Sequence, residues 1–247
     1  MSVQEQKVIL ITGANKGIGF ETARQLGLQG HTIFVGARNK ERGTVAEAKL
    51  RTEGINASFI ELDVTNQASI DAAAQKIDEQ YGKLDVLINN AGGVVGKLEE
   101  ISLPSTTPME ALKGTFELNV FGVFAIMKTM LPLLRKSEAG RIVNLSSGLG
   151  SLTFQSDPAF EYYDRKILVY NASKTAVNAL TVHFAFELKD SNIKVNSACP
   201  GFTATDLNGF TGIRTVEQAT NVVVKLATLP EDGPTGGFFD ENGPLPW

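Results

Sequence analysis

Seven short apolar runs recur along the chain: KVILIT (7 to 12), HTIFVGA (31 to 37), ASFIEL (57 to 62), LDVLIN (84 to 89), RIVNLS (141 to 146), IKVNSAC (193 to 199) and GGFFD (236 to 240). Most are apolar at successive rather than alternate positions, so both faces of each strand must be covered. Between them lie longer segments with helical spacing, at 17 to 29, 39 to 53, 66 to 81, 108 to 136, 168 to 190 and 215 to 227, with Thr, Asn, Asp or Ser near several starts. Strands that alternate with helices build a parallel sheet with helices on both faces. The expected fold class is therefore α/β, a doubly wound parallel sheet of about seven strands. Ligands of such sheets bind outside the carboxyl ends of the strands, so the residues just after each strand are where chemistry is sought.

The remaining composition narrows the partners. No repeat or low-complexity segment appears and the 24 glycines are spread along the chain, which reads as a single domain over residues 1–247. With 23 Lys+Arg against 27 Asp+Glu and no basic block, the chain lacks the electrostatic footprint of a nucleic-acid or anionic-membrane binder. The start, MSVQEQKVILITG, has neither the basic region nor the apolar core of a signal peptide, and no stretch reads as the roughly 18 apolar residues of a membrane helix. One cysteine cannot close an intrachain bridge, and a cytoplasmic protein is expected. Cys199 reads as a small packed residue, His31 and His183 fall at a strand start and in a helix, and no ligand spacing suggests a metal.

The strand ends carry the motifs. The first strand runs into TGANKGIG (Thr12 to Gly19), where glycines remove Cβ so that backbone can turn and approach a pyrophosphate at a helix N-terminus. Lys16 precedes Gly17, so the loop is neither G-x-G-x-x-G nor a Walker loop, and a glycine turn that only packs a helix on a sheet would read similarly. NNAG (Asn89 to Gly92) follows the fourth strand, ELNVFG holds Asn119, and Ser146 and Ser147 end the fifth. YNASK holds Tyr170 and Lys174, Pro200-Gly201 follows the sixth strand, and PTGGFFDENG closes the series. Tyr170 and Lys174 stand one helical turn apart on one face. The second strand ends in Gly36-Ala37-Arg38, without the acid that would bond a ribose 2′-hydroxyl, and with an arginine suited to a phosphate.

In their order and spacing these motifs resemble the short-chain dehydrogenase/reductase family over nearly the whole chain. The resemblance implies a Rossmann fold and a nicotinamide cofactor. Tyr170 would be the general acid in reduction and the base in reverse, and Lys174 would bond the nicotinamide ribose. The ammonium and an oxidised nicotinamide would together lower the tyrosine pKa from about 10 towards 7, which needs about 4 kcal/mol. Ser147 would hold the substrate carbonyl, since the family uses the second serine of this pair rather than Ser146; neighbouring strand side chains face opposite ways, so only one of the two can point at the substrate. Asn119 would hold a water that relays protons to Lys174. Gly13, Asn15, Lys16, Gly17, Ile18 and Gly19 would cradle the cofactor, and Asn90, Ala91 and Gly92 would line it by backbone. Asp63 would meet the adenine amino group and Val64 pack the ring, with a turn-capping aspartate as the competing reading. Pro200, Gly201, Thr203 and Thr205 would close over the nicotinamide. Arg38 and Lys16 together imply NADP(H).

The long interval from Ser147 to Tyr170, the GAR end of the second strand and the DENGPLPW tail are similar to the carbonyl-reductase branch, in which the insertion before the tyrosine is larger. Segments 93 to 108, 148 to 169 and 202 to 214 should shape the substrate pocket, and their apolar residues suit an apolar ketone or aldehyde. A 3-oxoacyl carrier-protein reductase and a non-catalytic NADP(H) sensor are the alternatives. A homo-oligomer (dimer or tetramer) and a monomer both stay open.

Overall fold

The computed structural model describes residues 6–97, 101 and 103–247. Residues 1–5 of the chain start and 98–100 and 102 of the expected pocket segment 93 to 108 lie outside these. The strands are β1 (Val8–Thr12), β2 (Thr32–Ala37), β3 (Ala57–Glu61), β4 (Val86–Asn89), β5 (Arg141–Leu145), β6 (Lys194–Ala198) and β7 (Phe238–Phe239). They form one sheet in the order β3-β2-β1-β4-β5-β6-β7, with every pairing parallel. The order reverses between β1 and β4, which puts the TGANKGIG turn beside the NNAG segment at the carboxyl edge.

The unbroken apolar runs have the cause expected of them, since side chains of one strand feed two cores. Val8 and Leu10 join the cluster under helices α3 (Gln67–Tyr81), α5 (Gly122–Leu134) and α7 (Leu168–Glu187), through Ile70, Ile77, Val123, Ile126 and Phe184. Ile9 and Ile11 join the opposite cluster under α1 (Gly17–Leu28), α2 (Lys40–Thr52) and α8 (Val216–Ala227), through Ala23, Leu26, Leu50, Val222 and Leu226. The helix starts are capped as their residue types suggest. Asn39 accepts from Arg42 N–H at 2.9 Å and Asn66 from Ser69 N–H at 3.2 Å, while Thr215 and Gln218 form a reciprocal capping box on α8.

Two departures matter for the site. The helical segment expected over 108 to 136 divides into α4 (Met109–Phe116), a π-helical turn (Glu117–Phe121) and α5. Met109–Leu134 is a run of 26 residues, long and apolar enough by length and composition to cross a membrane, contrary to the expectation that no stretch would be. Half of its most apolar window is buried inside the fold, as in a core helix. Segment 148 to 167 also contains the short helix α6 (Leu152–Ser156), with Thr153 N–H donating to the Trp247 carbonyl at 3.0 Å. The Trp247 ring stacks on Phe238 of β7, with centroids 5.7 Å apart.

Candidate active site

The glycine loop is as tight as its sequence demands. Gly13 and Gly17 have φ of +66° and +57°, a region that disfavours side chains. A Cβ on Gly13 would lie 3.0 Å from Ala91 Cα, and one on Gly19 would lie 2.7 Å from Gly13 O. Lys16 occupies the N-cap of α1 in an extended conformation without a capping side-chain bond, so no capping side chain claims the first amides of that helix. Thr12, absent from the expected set, ties the loop to the fourth strand: its hydroxyl accepts from Asn90 N–H at 3.0 Å and Ala91 N–H at 2.9 Å. Asn90 Nδ2 returns to the Thr12 carbonyl at 2.8 Å and the Gly13 carbonyl at 3.1 Å. This cradle, with backbone N–H groups at a helix start and no room for Cβ atoms, fits the pyrophosphate of a dinucleotide.

Asn119, Ser147, Tyr170 and Lys174 converge from three elements. Asn119 is fully buried in the π turn, and an extra residue in a helical turn is a recurrent way to aim a side chain inward. Its Nδ2 donates to Gly93 O and to Ser173 Oγ, both at 2.9 Å, and its Oδ1 accepts from Gly93 N–H at 2.9 Å. A methyl group on Gly92 would meet Asn119 Oδ1 at 3.2 Å and Lys174 Nζ at 3.5 Å, so both side chains border that glycine. Of the serine pair, Ser146 is buried with its hydroxyl on the Lys174 carbonyl at 3.3 Å, whereas Ser147 Oγ accepts from Leu149 N–H at 3.2 Å and is near enough to the Tyr170 phenol to favour its ionised form. Cys199 does more than pack, since its Sγ accepts from Gly148 N–H at 3.1 Å and so fixes the residue beside Ser147. Its place directly after a strand was the signal that could have singled it out.

Desolvation sets the electrostatics of the pair. Desolvation pushes the Tyr170 phenol up to about 12, and the neighbouring Ser147 hydroxyl opposes this only in part. Burial pulls Lys174 down to about 8. Its ammonium donates to Leu145 O at 2.7 Å and lies 5.7 Å from the Tyr170 ring centroid. The protein's own groups therefore keep the tyrosine protonated; the lowering expected above belongs to the Lys174 ammonium acting together with an oxidised nicotinamide.

The other expected cofactor residues divide. Asp63 Oδ1 accepts from Thr65 N–H at 3.0 Å and Thr65 Oγ1 at 2.8 Å, which is the turn-capping geometry. Val64 is buried in the core against Gly122, where a Cβ would meet Val64 Cγ2 at 2.9 Å. The Thr203 hydroxyl bonds the carbonyls of Pro200 and Gly201, each at 3.2 Å, and Thr205 lies over Gly17. Arg38 is exposed with no ion pair among the described residues, but Lys16 Nζ pairs with Asp206 Oδ2 at 2.6 Å. Asn15 and Ile18 are half-buried within the loop. Beyond Ser147 runs an aromatic row. Phe154 stacks on Phe160 at 4.7 Å, Phe160 meets Tyr162 edge-on at 5.7 Å, and Tyr162 lies 6.0 Å from Phe202.

The chain is similar in sequence and fold to known proteins. The family model described as short chain dehydrogenase matches residues 7–213. The chain is 38% identical to "Short-chain dehydrogenase anuI" of Penicillium roqueforti over 92% of its length and 91% of the relative. It is 32% identical to the (-)-isopiperitenone reductase of Mentha piperita, covering 97% of this chain and 98% of that one. The crystal structure of NADPH-bound carbonyl reductase from chicken fatty liver superposes with a TM-score of 0.85 at 25% identity, covering 99% of this chain and 100% of that one. The strand order, the site and these relatives together make the chain a member of the short-chain dehydrogenase/reductase family, an oxidoreductase with a Rossmann fold.

Proposed function

We propose that the protein is an NADPH-dependent reductase of apolar ketones and aldehydes. The observation that carries this is the convergence of Asn119, Ser147, Tyr170 and Lys174 beside an aromatic row. Reduction consumes a proton at the carbonyl oxygen, and a phenol held near 12 is present in the donor form at neutral pH.

When bound, NADPH supplies the hydride to the carbonyl carbon. Ser147 Oγ donates to the carbonyl oxygen and stabilises the charge that grows there. The Tyr170 hydroxyl gives its proton to that oxygen, which yields the alcohol. Lys174 places its ammonium where it favours the resulting phenolate, and Asn119 holds the Gly93 backbone and Ser173 in register with α7. Gly13, Gly17, Gly19 and the start of α1 would receive the pyrophosphate, and Arg38 and Lys16 the 2′-phosphate. The aromatic row from Phe154 to Phe202 offers ring faces that suit an apolar substrate.

A panel of ketones and aldehydes, followed at 340 nm with NADPH and NADH, tests this reading. Turnover is expected with apolar carbonyls and NADPH. Tyr170→Phe should lose at least about a hundredfold in kcat, the scale of general acid catalysis, while still binding NADPH. A Phe variant that keeps most of its rate overturns the assignment.

A further inference from the structure

The two cations expected at the cofactor's ribose phosphate are not equally placed. Ala14 N–H donates to Gly36 O at 3.0 Å, so the glycine loop lies against the end of β2, next to Arg38. Arg38 faces solvent, whereas Lys16 reaches across the cleft to Asp206. Asp206 opens a 3₁₀ turn (Asp206–Asn208) on an excursion with a closed neck. There Ala204 N–H donates to Arg214 O at 2.9 Å, Arg214 N–H donates to Phe202 O at 3.1 Å, and the Arg214 side chain pairs with Glu241. The ion pair bridges a cavity of about 560 Å³ whose lining includes Gly17, Thr205 and Phe210. Phe210 holds φ at +61°, the only non-glycine residue with positive φ among those described.

We infer that Asp206 is a specificity-determining residue that competes with the cofactor's 2′-phosphate for the Lys16 ammonium. Lys16 and Asp206 side chains are 55% and 51% exposed, and pairs this exposed are weak enough to exchange partners on binding. A phosphate that takes Lys16 also brings a dianion towards the Asp206 carboxylate, so the same ammonium serves the two poorly together. A cofactor without the phosphate has no such exchange to make. Asp206 thus lowers the discrimination that Lys16 could give, and the phosphate's arrival releases the contact that ties residues 204–213 to the glycine loop.

This inference rests on the NADPH reading through Lys16, and binding measurements separate the two. Dissociation constants for NADPH and NADH, read by nicotinamide fluorescence, are compared for wild type, Asp206→Asn, Lys16→Gln and the double variant. Asp206→Asn should tighten NADPH by about two- to fivefold and leave NADH unchanged, and this gain should vanish in the Lys16→Gln background. Equal tightening of both cofactors, a gain that survives Lys16→Gln, or no gain at all overturns the role of Asp206. Should Lys16→Gln and Arg38→Ala both leave the NADPH to NADH ratio as it was, the NADPH reading itself falls, and the competition with it.

Discussion

Tyr170, half-buried, and Lys174, buried, share one face of α7, and desolvation acts on them in opposite senses, raising the acid and lowering the base. Lys174 titrates near 8 in the folded chain against 10.5 for a free side chain. Between those values the unfolded chain keeps the proton and the folded chain has released it, so stability rises with pH across the window. At pH 7 the charged ammonium is therefore held at a cost in stability. Lys174→Met should raise the unfolding free energy at pH 7 by on the order of 2 kcal/mol and flatten its rise towards pH 10, with turnover lost. Urea unfolding at pH 7 and pH 9.5 checks this, and a Met variant less stable than wild type at pH 7 contradicts it. Asn119, Ser147, Tyr170 and Lys174 were legible through the order of motifs that resemble a known family; Ser147 also stands just after a strand, and Tyr170 and Lys174 on one helix face. Their pKa directions were not, because they depend on how segment 148–166 covers the helix, and residue spacing carries no information about that cover. Thr12 and Ser173 escaped for a related reason: each acts by bonding a neighbour's backbone or amide, and a hydroxyl used that way looks like any other.

At the scale of elements, the 3₁₀ turn Gly148–Gly150 packs directly against α7. A Cβ on Gly150 would lie 2.8 Å from both the carbonyl carbon and the Cβ of Lys174, and the Gly150 carbonyl accepts from Thr175 Oγ1 at 2.9 Å. Gly150→Ala should push the turn that carries Ser147 away from the helix that carries Tyr170. We expect a loss of about 1–3 kcal/mol in stability, with kcat falling more than substrate affinity. A variant with wild-type kcat shows that the approach is not needed for chemistry. The helices and strands themselves could be read from the sequence to within a few residues, since apolar period and capping residues act locally. The π turn could not, because one inserted residue leaves the apolar pattern of 108 to 136 nearly unchanged while redirecting Asn119.

At the scale of the whole molecule, the carboxyl ends of β1, β2, β4, β5 and β6 meet at one edge, so that edge gathers residues scattered from 12 to 205. A cofactor bound there touches both halves of the sheet and stabilises them together. At a hundred times its dissociation constant it should add about 2.7 kcal/mol, which raises Tm by about 5–10 °C for a chain of this size. Scanning calorimetry should show a larger shift with NADPH than with NADH at equal concentration, and equal shifts argue against selection by Arg38 and Lys16. The alignment with the mint isopiperitenone reductase runs over 310 positions against 247 residues here, so that relative carries segments this chain lacks. What this chain does have before Tyr170 is tied to the far end of the sheet, where Thr153 bonds Trp247 and Trp247 stacks on β7. Because Trp247 is the only tryptophan, its emission is a built-in optical reporter. Any rearrangement of the pocket wall that disturbs Thr153 is written into the spectrum of a single fluorophore, without a label and without a substitution.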